Sequence, residues 1–315
     1  MKIGLDVMGG DYAPDCAIEG AVLAHKEFLP SEKLVLIGDK NIITSKLSVY
    51  DYDKDRIEIV HASEVIEMGD SPTKAFASKV NSSVNIGFTM LKKKEIQAFS
   101  SAGNSGAMMV GSMYAINTIP GVIRPACAAL IPRLSGGYNI LLDVGTNPDT
   151  KPDVLYQYAI LGSIYASEVF GKKNPKIGLL NIGEEEKKGN LLCQGAYRLM
   201  KNSADFNFAG NIEGRDLFDD SADVIVCDGF TGNVVIKEAE GFYDILAKRN
   251  LLDDFFGRFN YENQGGSPIL GINAPVVIGH GISNGTAIKN MVLLSRNMAA
   301  AKLSDKIGSA VARYR

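Results

Sequence analysis

Glycine and small polar residues follow six apolar segments of this sequence, and their types suit chemistry on an anion. The segments span residues 3–11, 99–106, 141–147, 179–190, 224–233 and 276–285. Each begins as an apolar run rich in β-branched residues, which is typical of a buried strand. At the carboxyl ends of parallel strands, glycine lets backbone N–H groups approach an anion closely. We therefore predict that the six loops form one phosphate-handling site.

Candidate residues for binding substrate or phosphate come from all six loops. They are Gly9, Gly10, Asp11, Gly103, Asn104, Ser105, Gly106, Asp143, Asn147, Lys187, Asp228, Thr231, Gly232 and His280. Asp11 has an alternative role as the cap of the helix that follows it. His280, which lies between two glycines, is equally compatible with a structural role.

Two of the six loops have structural alternatives. Residues 183–190 hold three glutamates followed by Lys187 and Lys188, a pattern that suits either a functional loop or a solvated charged turn. Residues 228–233 follow a buried strand and lead into a helix. An anion site at the helix start and an ordinary glycine turn capped by Asn233 both fit that spacing.

Templates for covalent catalysis, nucleotide binding and metal binding are incomplete. Residues 103–107 lack the final glycine of the G-x-S-x-G elbow, and the chain has only three histidines. Residues 279–285 contain one residue too many for G-x-G-x-x-G, and no P-loop motif occurs. The histidines are far apart and no acidic cluster has calcium-loop spacing, so the sequence predicts no metal site.

The remaining residue types suit a reaction whose nucleophile arrives with the substrate. Inorganic phosphate is already an anionic oxygen nucleophile at neutral pH. An enzyme that uses it needs to position it and to stabilise charge, more than to activate a side chain. Backbone N–H groups and lysines can do both.

Alternating strands and helices must position these loops. We predict a helix over residues 14–28 and strands at residues 2–7, 34–37, 57–60, 98–99, 139–142, 176–180, 224–227 and 275–278. This alternation predicts an α/β fold with a mostly parallel sheet covered on both faces. We treat residues 1–315 as a single domain, with two lobes around one cleft as the alternative. Residues 136–137 and 263–268, which are rich in glycine, are the clearest candidates for a boundary between lobes.

Residues 246–259 are predicted to be helical, with one strongly apolar face. Leu252, Phe255, Phe256 and Phe259 are spaced at i, i+3, i+4 and i+7. Such a face favours packing in the core or in a dimer. A face that contacts a membrane surface or a partner protein is the alternative.

Composition excludes several classes of protein. With 33 basic and 36 acidic residues the net charge is −3, so nothing in the overall charge favours a nucleic-acid partner. Four cysteines lie far apart without a Cys-x-x-Cys pair, which suits a reducing compartment. No charged leader precedes the first strand, and no apolar run approaches about 18 residues. We therefore predict a cytoplasmic location.

Five colinear segments together resemble the bacterial phosphate acyltransferases of phospholipid synthesis, the PlsX type. They are DVMGGD (6–11) with AP (13–14), SAGNSGA (101–107), LDVG (142–145) with Asn147, LLNIG (179–183) with KKGN (187–190), and DGFTGN (228–233). Each segment alone is weakly specific, but five in register over nearly the whole chain are highly specific.

The resemblance implies transfer of a long-chain acyl group from acyl carrier protein to inorganic phosphate, giving an acyl phosphate. It also implies a three-layer α/β/α fold related to isopropylmalate dehydrogenases and phosphotransacetylases, a homodimer, and no metal or organic cofactor. The matching positions imply that Lys188 and Asn233 are catalytic, with Lys188 neutralising charge and Asn233 orienting phosphate or the oxyanion.

Three further points concern partners and departures from the family. Tyr12 stands where the family often has histidine, and residues 241–265 form a shorter segment than in many relatives, where it is associated with peripheral membrane contact. Residues 77–80 carry one lysine where relatives are often more basic.

An acidic carrier protein needs a basic surface, and residues 92–94, 172–173 and 248–249 are candidates. These groups suit solvated helix or loop charges equally well.

Three other functions remain as alternatives. The first is a phosphotransferase that uses acetyl- or butyryl-CoA as the donor. The second is a dehydrogenase of the isopropylmalate type, which the missing dinucleotide motif disfavours. The third is a non-catalytic phosphate-binding or scaffold protein.

Overall fold

A computed structural model describes residues 1–314 and divides the chain into two compact units. Unit 1 comprises Met1–Thr118 and Tyr261–Lys302, and unit 2 comprises Ile119–Asn260 and the chain from Leu303 on. Residues 136–137, one of the two candidate boundaries, lie inside unit 2. The other candidate, residues 263–268, begins just after the boundary between residues 260 and 261.

Strands and helices alternate along most of the chain. In order they are β1 (Lys2–Asp6), α1 (Asp15–His25), β2 (Lys33–Gly38), α2 (Lys40–Leu47), β3 (Ile57–His61), α3 (Pro72–Ser78), α4 (Ser83–Lys92), β4 (Ala98–Ser101), α5 (Ser105–Gly111), β5 (Ala126–Pro132), β6 (Tyr138–Leu142), α6 (Pro152–Phe170), β7 (Lys176–Leu180), α7 (Leu191–Met200), β8 (Asn207–Ile212), β9 (Val224–Val226), α8 (Gly229–Lys248), β10 (Ser267–Leu270), β11 (Val276–Ile278), α9 (Gly285–Ala300) and α10 (Leu303–Val311).

Unit 1 holds six strands in the order β3-β2-β1-β4-β11-β10. All neighbours are parallel except β10, which runs antiparallel to β11. Helices α1 and α9 pack against each other and on the sheet, and α4 contacts β1, β2 and β4. The central strands are apolar and fully buried, as expected for parallel strands covered by helices.

Unit 2 holds five strands in the order β5-β6-β9-β7-β8. Strands β6, β9, β7 and β8 are parallel, and β5 forms an antiparallel hairpin with β6. Gly136 and Gly137 make the hairpin turn with φ values of +102° and +72°, a region that favours glycine. One buried cluster behind the sheet joins Leu141, Leu180 and Ile225 to their neighbours.

The predicted fold class is confirmed, and each predicted strand is present with ends that agree to within two residues. Strands β5, β8 and β10 were not predicted. The predicted helix over residues 14–28 is α1, which is shorter because Pro14 lies at its N-cap and Lys26 at its C-cap. None of the helices within residues 1–314 is both long and apolar enough to cross a bilayer.

The helix predicted over residues 246–259 is wrong. Helix α8 ends at Lys248, Asn250 has a φ of +54°, and the Asp253 side chain accepts from Phe256 N to begin a short 3₁₀ turn. The aromatic residues still cluster, because the ring centroids of Phe255 and Phe259 are 5.5 Å apart and the Phe259 ring packs on that of Phe218. Leu252 is exposed, so the four residues do not share one helical face.

Candidate functional site

The six predicted loops form two groups of three. In unit 1, β1, β4 and β11 are adjacent, so residues 7–11, 102–106 and 279–285 follow neighbouring strands. In unit 2, β6, β9 and β7 are adjacent, so residues 143–147, 227–233 and 181–190 do the same. We call these the unit 1 loop group and the unit 2 loop group.

Close backbone approach joins the unit 1 loop group. A β-carbon at Gly9 would lie 2.7 Å from Gly103 N, and one at Gly10, where φ is +111°, would lie 3.2 Å from Gly281 O. Asp11 N donates to Gly281 O at 2.7 Å. Glycines are therefore required where these three loops meet.

Asp6 links two loops of this group, those after β1 and β4, and our selection of site residues omitted it. The fully buried carboxylate accepts from Met8 N at 2.9 Å and from Ser101 Oγ at 2.7 Å. Ser101 Oγ in turn accepts from Gly103 N at 2.9 Å. Burial raises the pKa of Asp6, although the hydrogen bonds from Ser101, Ser83, Met8 and Gly9 act in the opposite direction.

The remaining predicted residues of unit 1 differ in exposure and partners. Asp11 is exposed and lies four residues before α1, so the capping alternative for Asp11 is wrong. Asn104 caps α5 by accepting from Ala107 N, and it donates to the carbonyls of residues 67, 68 and 70 at 3.0–3.2 Å. The half-buried His280 ring lies 5.1 Å from the Tyr261 ring.

Two small residues open α5. Ser105, its first residue, is exposed. Gly106 lies against Pro72, where a β-carbon would overlap the proline ring. A side chain at Gly106 would therefore push α5 away from α3.

Asp143 has the corresponding position in unit 2. Its buried carboxylate accepts four hydrogen bonds, from Cys127 N and Thr146 N on Oδ1 and from Asn147 N and Asn147 Nδ2 on Oδ2, at 2.7–3.1 Å. Asn147 also donates to Pro125 O. Since all four donors belong to the protein, this carboxylate shapes the loop that it begins.

Glycines let the first turn of α8 rest on that loop. A β-carbon at Gly229 would lie 2.8 Å from Asn147 N, and one at Gly232 would overlap Asp143 O. Asp228 caps the helix by accepting from Thr231 N and Thr231 Oγ1, both at 2.8 Å. The alternative in which Asn233 is the cap is therefore wrong.

Asn233 is exposed in the second turn of α8, beside Gly145. Its Nδ2 donates to Val144 O at 3.2 Å, and a β-carbon at Gly145 would lie 3.2 Å from that nitrogen. The loop that begins at Asp143 therefore holds the Asn233 amide through the Val144 carbonyl. The Asn233 side chain is nevertheless exposed to solvent.

The lysine loop, residues 183–190, connects β7 to α7. Lys188 is half exposed, and its Nζ lies 3.8 Å from Glu185 Oε2, while Glu186 pairs with Lys201 at 2.7 Å. Exposed pairs of this kind contribute little energy. The Lys188 ammonium therefore stays available to an anion.

A cavity of about 270 Å³ joins the lysine loop to the start of α8. Leu155, Leu180 and Ile182 supply apolar lining, and Asn181, Gly189, Asn190, Asp228 and Thr231 supply polar lining together with two thiols. Residues on either side of Lys188, and residues just before Asn233, thus border one space. Sequence reasoning selected both segments but could not show that they meet.

The two thiols in this cavity are poor nucleophiles. Burial raises the pKa of Cys193 and raises that of Cys227 well above the ordinary value, and the carboxylate of Asp228 adds to both shifts. Since the thiolate is the reactive form, neither cysteine is prepared for covalent catalysis at neutral pH. Within residues 1–314, no group of three or more His, Cys, Asp or Glu side chains is arranged to hold a metal ion.

The basic groups suggested for carrier docking lie away from both loop groups. Residues 92–94 precede β4 and residues 172–173 precede β7, at the amino ends of strands whose carboxyl ends carry the loops. Residues 248–249 are the last residue and the C-cap of α8, about 30 Å of helix from its start. Of the basic residues selected from the sequence, Lys187 and Lys188 alone belong to a loop group.

The sequence was compared with protein families and with proteins of known function. A family model described as "Fatty acid synthesis protein" matches residues 1–306. A phosphate acyltransferase of Dictyoglomus turgidum is 44% identical and aligns over 98% of this chain and 96% of its own. Another, from Clostridioides difficile, is 36% identical over 100% of this chain and 97% of its own.

Solved structures share the fold. EutD phosphotransacetylase from Staphylococcus aureus superposes with a TM-score of 0.64 at 17% identity, covering 95% of this chain and 94% of its own. A phosphotransacetylase from Streptococcus pyogenes gives a TM-score of 0.67 at 16% identity, with the same coverage. The resemblance seen in the sequence is confirmed: this chain belongs to the phosphate acyltransferase family of fatty acid and phospholipid synthesis and is an acyltransferase.

Proposed function

We propose that this enzyme transfers a fatty acyl group from acyl carrier protein to inorganic phosphate, giving an acyl phosphate for phospholipid synthesis. The observation that carries the proposal is the cavity where the lysine loop meets the start of α8. It brings a loop with two lysines and three glutamates, a polar wall and two thiols whose pKa values are raised together in a chain of the phosphate acyltransferase family.

Phosphate itself is the nucleophile in this proposal. A phosphate oxygen attacks the thioester carbonyl carbon, the new C–O bond forms, and negative charge develops on the carbonyl oxygen. The C–S bond then breaks, and the proton carried by the phosphate goes to the departing thiolate. Because a thiol has a pKa near ~8.5, the leaving group needs little acid catalysis.

Lys188 neutralises the phosphate and the charge that develops on the carbonyl oxygen. Its side chain is half exposed and its ammonium lies 3.8 Å from Glu185 Oε2, so an incoming dianion replaces a weak contact. Asn233 orients the phosphate or the oxyanion with the amide that Val144 O holds in place. Lys187 adds a second positive charge on the same loop.

The carboxylates of unit 2 position these groups. Asp143 already accepts four hydrogen bonds and Asp228 caps α8, and a negative carboxylate would repel phosphate at either place. Asn147, Thr231 and Gly232 lie on the same loops and stay candidates for substrate binding. The predicted residues of the unit 1 loop group also stay candidates.

The finer expectations on assembly and location form part of the same proposal. Phe242, Ile245 and Leu251 are 53–58% exposed on α8 and just after it, and we assign a second copy of this chain to cover them. Sedimentation should give a dimer, and binding to anionic vesicles by a monomer would instead favour membrane contact. Four free thiols suit the reducing cytoplasm.

The test is a comparison of acyl donors. Purified protein with phosphate and a long-chain acyl carrier protein thioester should yield an acyl phosphate that hydroxylamine traps as a hydroxamate. The corresponding acyl-CoA should react much more slowly. Equal or faster reaction with acyl-CoA would favour the CoA-dependent phosphotransferase, and no hydroxamate from either donor would overturn the proposal.

A further inference from the structure

We infer that two buried asparagines, Asn211 and Asn181, are positioning residues that hold the lysine loop in the conformation that presents Lys188. The inference rests on the proposed function of Lys188. Neither asparagine touches the reacting atoms in the proposal. Each acts through the backbone carbonyls of the loop.

Asn211 lies at the carboxyl end of β8, beside Leu179 of β7. Its Nδ2 donates to Glu185 O at 3.0 Å and reaches Glu184 O at 3.5 Å. The side chain is 6% exposed, and its amide oxygen is buried without a hydrogen-bond partner among the described residues. A buried polar atom without a partner is costly, so an apolar residue would be favoured here unless the contacts to the loop carbonyls served a purpose.

Asn181 fixes the other half of the loop from the end of β7. Its Nδ2 donates to Lys188 O at 3.2 Å, and its Oδ1 accepts from Ile182 N at 2.9 Å. Gly189 has a φ of +82°, and a β-carbon there would overlap Asn181 Oδ1. The glycine after Lys188 is therefore required by the asparagine that holds the Lys188 carbonyl.

Gln194 of α7 completes the contacts, with Nε2 3.0 Å from both Lys187 O and Gly189 O. Three side-chain amides thus hold the carbonyls of five loop residues, Glu184, Glu185, Lys187, Lys188 and Gly189. Ordering the loop before substrate binds removes an entropic cost from the reaction, and small misplacements of a charged group can cost on the order of 10²-fold in rate.

The experiment compares Asn211→Asp with Asn207→Asp. Both residues lie on β8, but Asn207 Nδ2 donates to Asn174 O at the amino end of the strand, far along β8 from the lysine loop. We expect N211D to lower kcat by roughly 10- to 100-fold and to raise the KM for phosphate. The KM for the acyl thioester and all constants of N207D should stay near wild type.

A double-mutant cycle separates positioning from general support. If Asn211 acts through Lys188, then N211D should cause much less further loss in a Lys188→Met background than it causes alone. Full additivity of the two losses would overturn the inference. Normal kcat and KM for phosphate in a folded N211D variant would also overturn it.

A second variant covers the case in which N211D does not fold. Gln194 is half-buried on α7, and Gln194→Met keeps its length while removing both donors. The same split between the two KM values is expected for Q194M, and wild-type kinetics there would contradict the inference. An active K188M variant would instead contradict the proposed function, so the two failures are distinguishable.

Discussion

The two loop groups share one construction but differ in charge. In each, a buried aspartate at a strand end accepts hydrogen bonds from its own loop and from a neighbouring strand: Asp6 in unit 1, from Met8 N and Ser101 Oγ, and Asp143 in unit 2, from Thr146 N and Cys127 N. The loops of unit 1 contain no lysine or arginine, whereas the lysine loop of unit 2 carries Lys187 and Lys188. In the proposed function, charge stabilisation is therefore assigned to the lysines of unit 2.

The two aspartates also differ in how their charge is compensated. Four N–H groups meet the Asp143 carboxylate, whereas hydroxyl groups supply part of the hydrogen bonding around Asp6, whose pKa is raised by burial. A hydroxyl can donate or accept, but an N–H can only donate. The Asp143 loop is thus built around a negative charge, and the Asp6 loop is less dependent on one.

The largest expected effect comes from Lys188 and Asn233 of unit 2. In the proposed function each group stabilises transition-state charge, so Lys188→Met and Asn233→Ala should each lower kcat by roughly 10²- to 10³-fold in folded protein. Steady-state kinetics at saturating phosphate measure the loss. Lys54→Met, an exposed lysine before β3, is the control and should keep wild-type turnover.

A second prediction compares the two aspartates directly. Asp143→Asn turns one oxygen into a donor that faces two N–H groups in either orientation, and we expect it to lower the free energy of unfolding by about 2–4 kcal/mol. Measured below the raised pKa of Asp6, Asp6→Asn should cost about 1 kcal/mol, since the Ser101 hydroxyl can rotate to accept. Urea denaturation measures both. Equal losses would contradict the proposed difference between the two aspartates.

The pH dependence of unfolding gives a third prediction. Because burial raises the pKa of Asp6 in the folded state, the folded protein binds more protons than the unfolded chain above about pH 4. The contribution of Asp6 to stability is therefore largest at low pH and is lost as pH rises through its raised pKa. Asp6→Asn removes this dependence, so the variant should gain stability relative to wild type over that range. A difference that does not change with pH would contradict the prediction.

The smallest expected effect lies at the far part of α8. A β-carbon at Gly241 meets nothing within 4 Å, so Gly241→Ala should stabilise the protein by about 0.5–1 kcal/mol through helix propensity. The same change at Gly232 would overlap Asp143 O and should destabilise it. Thermal unfolding of the pair checks whether only the first turn of α8 is tied to the loop group.

Features of the sequence that depend on neighbouring residues could be predicted. Apolar runs, several of which end in glycine, predicted every parallel strand except β8, and with them all six loops, because burial and loop conformation are set locally there. Strand β8, NFAGNI, was missed because it is the outer strand of unit 2 and has polar residues and a glycine within it. The helix predicted beyond Lys248 was wrong because the prediction relied on apolar spacing alone. Asn250, with its positive φ, ends the helical conformation, and Asp253 accepts from Phe256 N at the start of a separate 3₁₀ turn.

Features that depend on distant contacts could not be predicted. Asn211 reaches Glu185 across 26 residues, and Asn104 holds carbonyls more than 30 residues away. Neither contact leaves a signal in spacing or periodicity. The motif that includes Asp6 did contain a signal, since an aspartate within a buried strand needs compensating hydrogen bonds. We selected the glycines next to it as site residues and left Asp6 out.

Coupling of thiol release to phosphate is the most direct test of phosphate as the acyl acceptor. Free thiol and hydroxylamine-trapped acyl phosphate should be measured together, with long-chain acyl carrier protein as donor and phosphate varied from zero to saturation. We predict one acyl phosphate per thiol released and almost no release without phosphate. Thiol release at the same rate without phosphate would contradict the proposed function, because water or a side chain would then be accepting the acyl group.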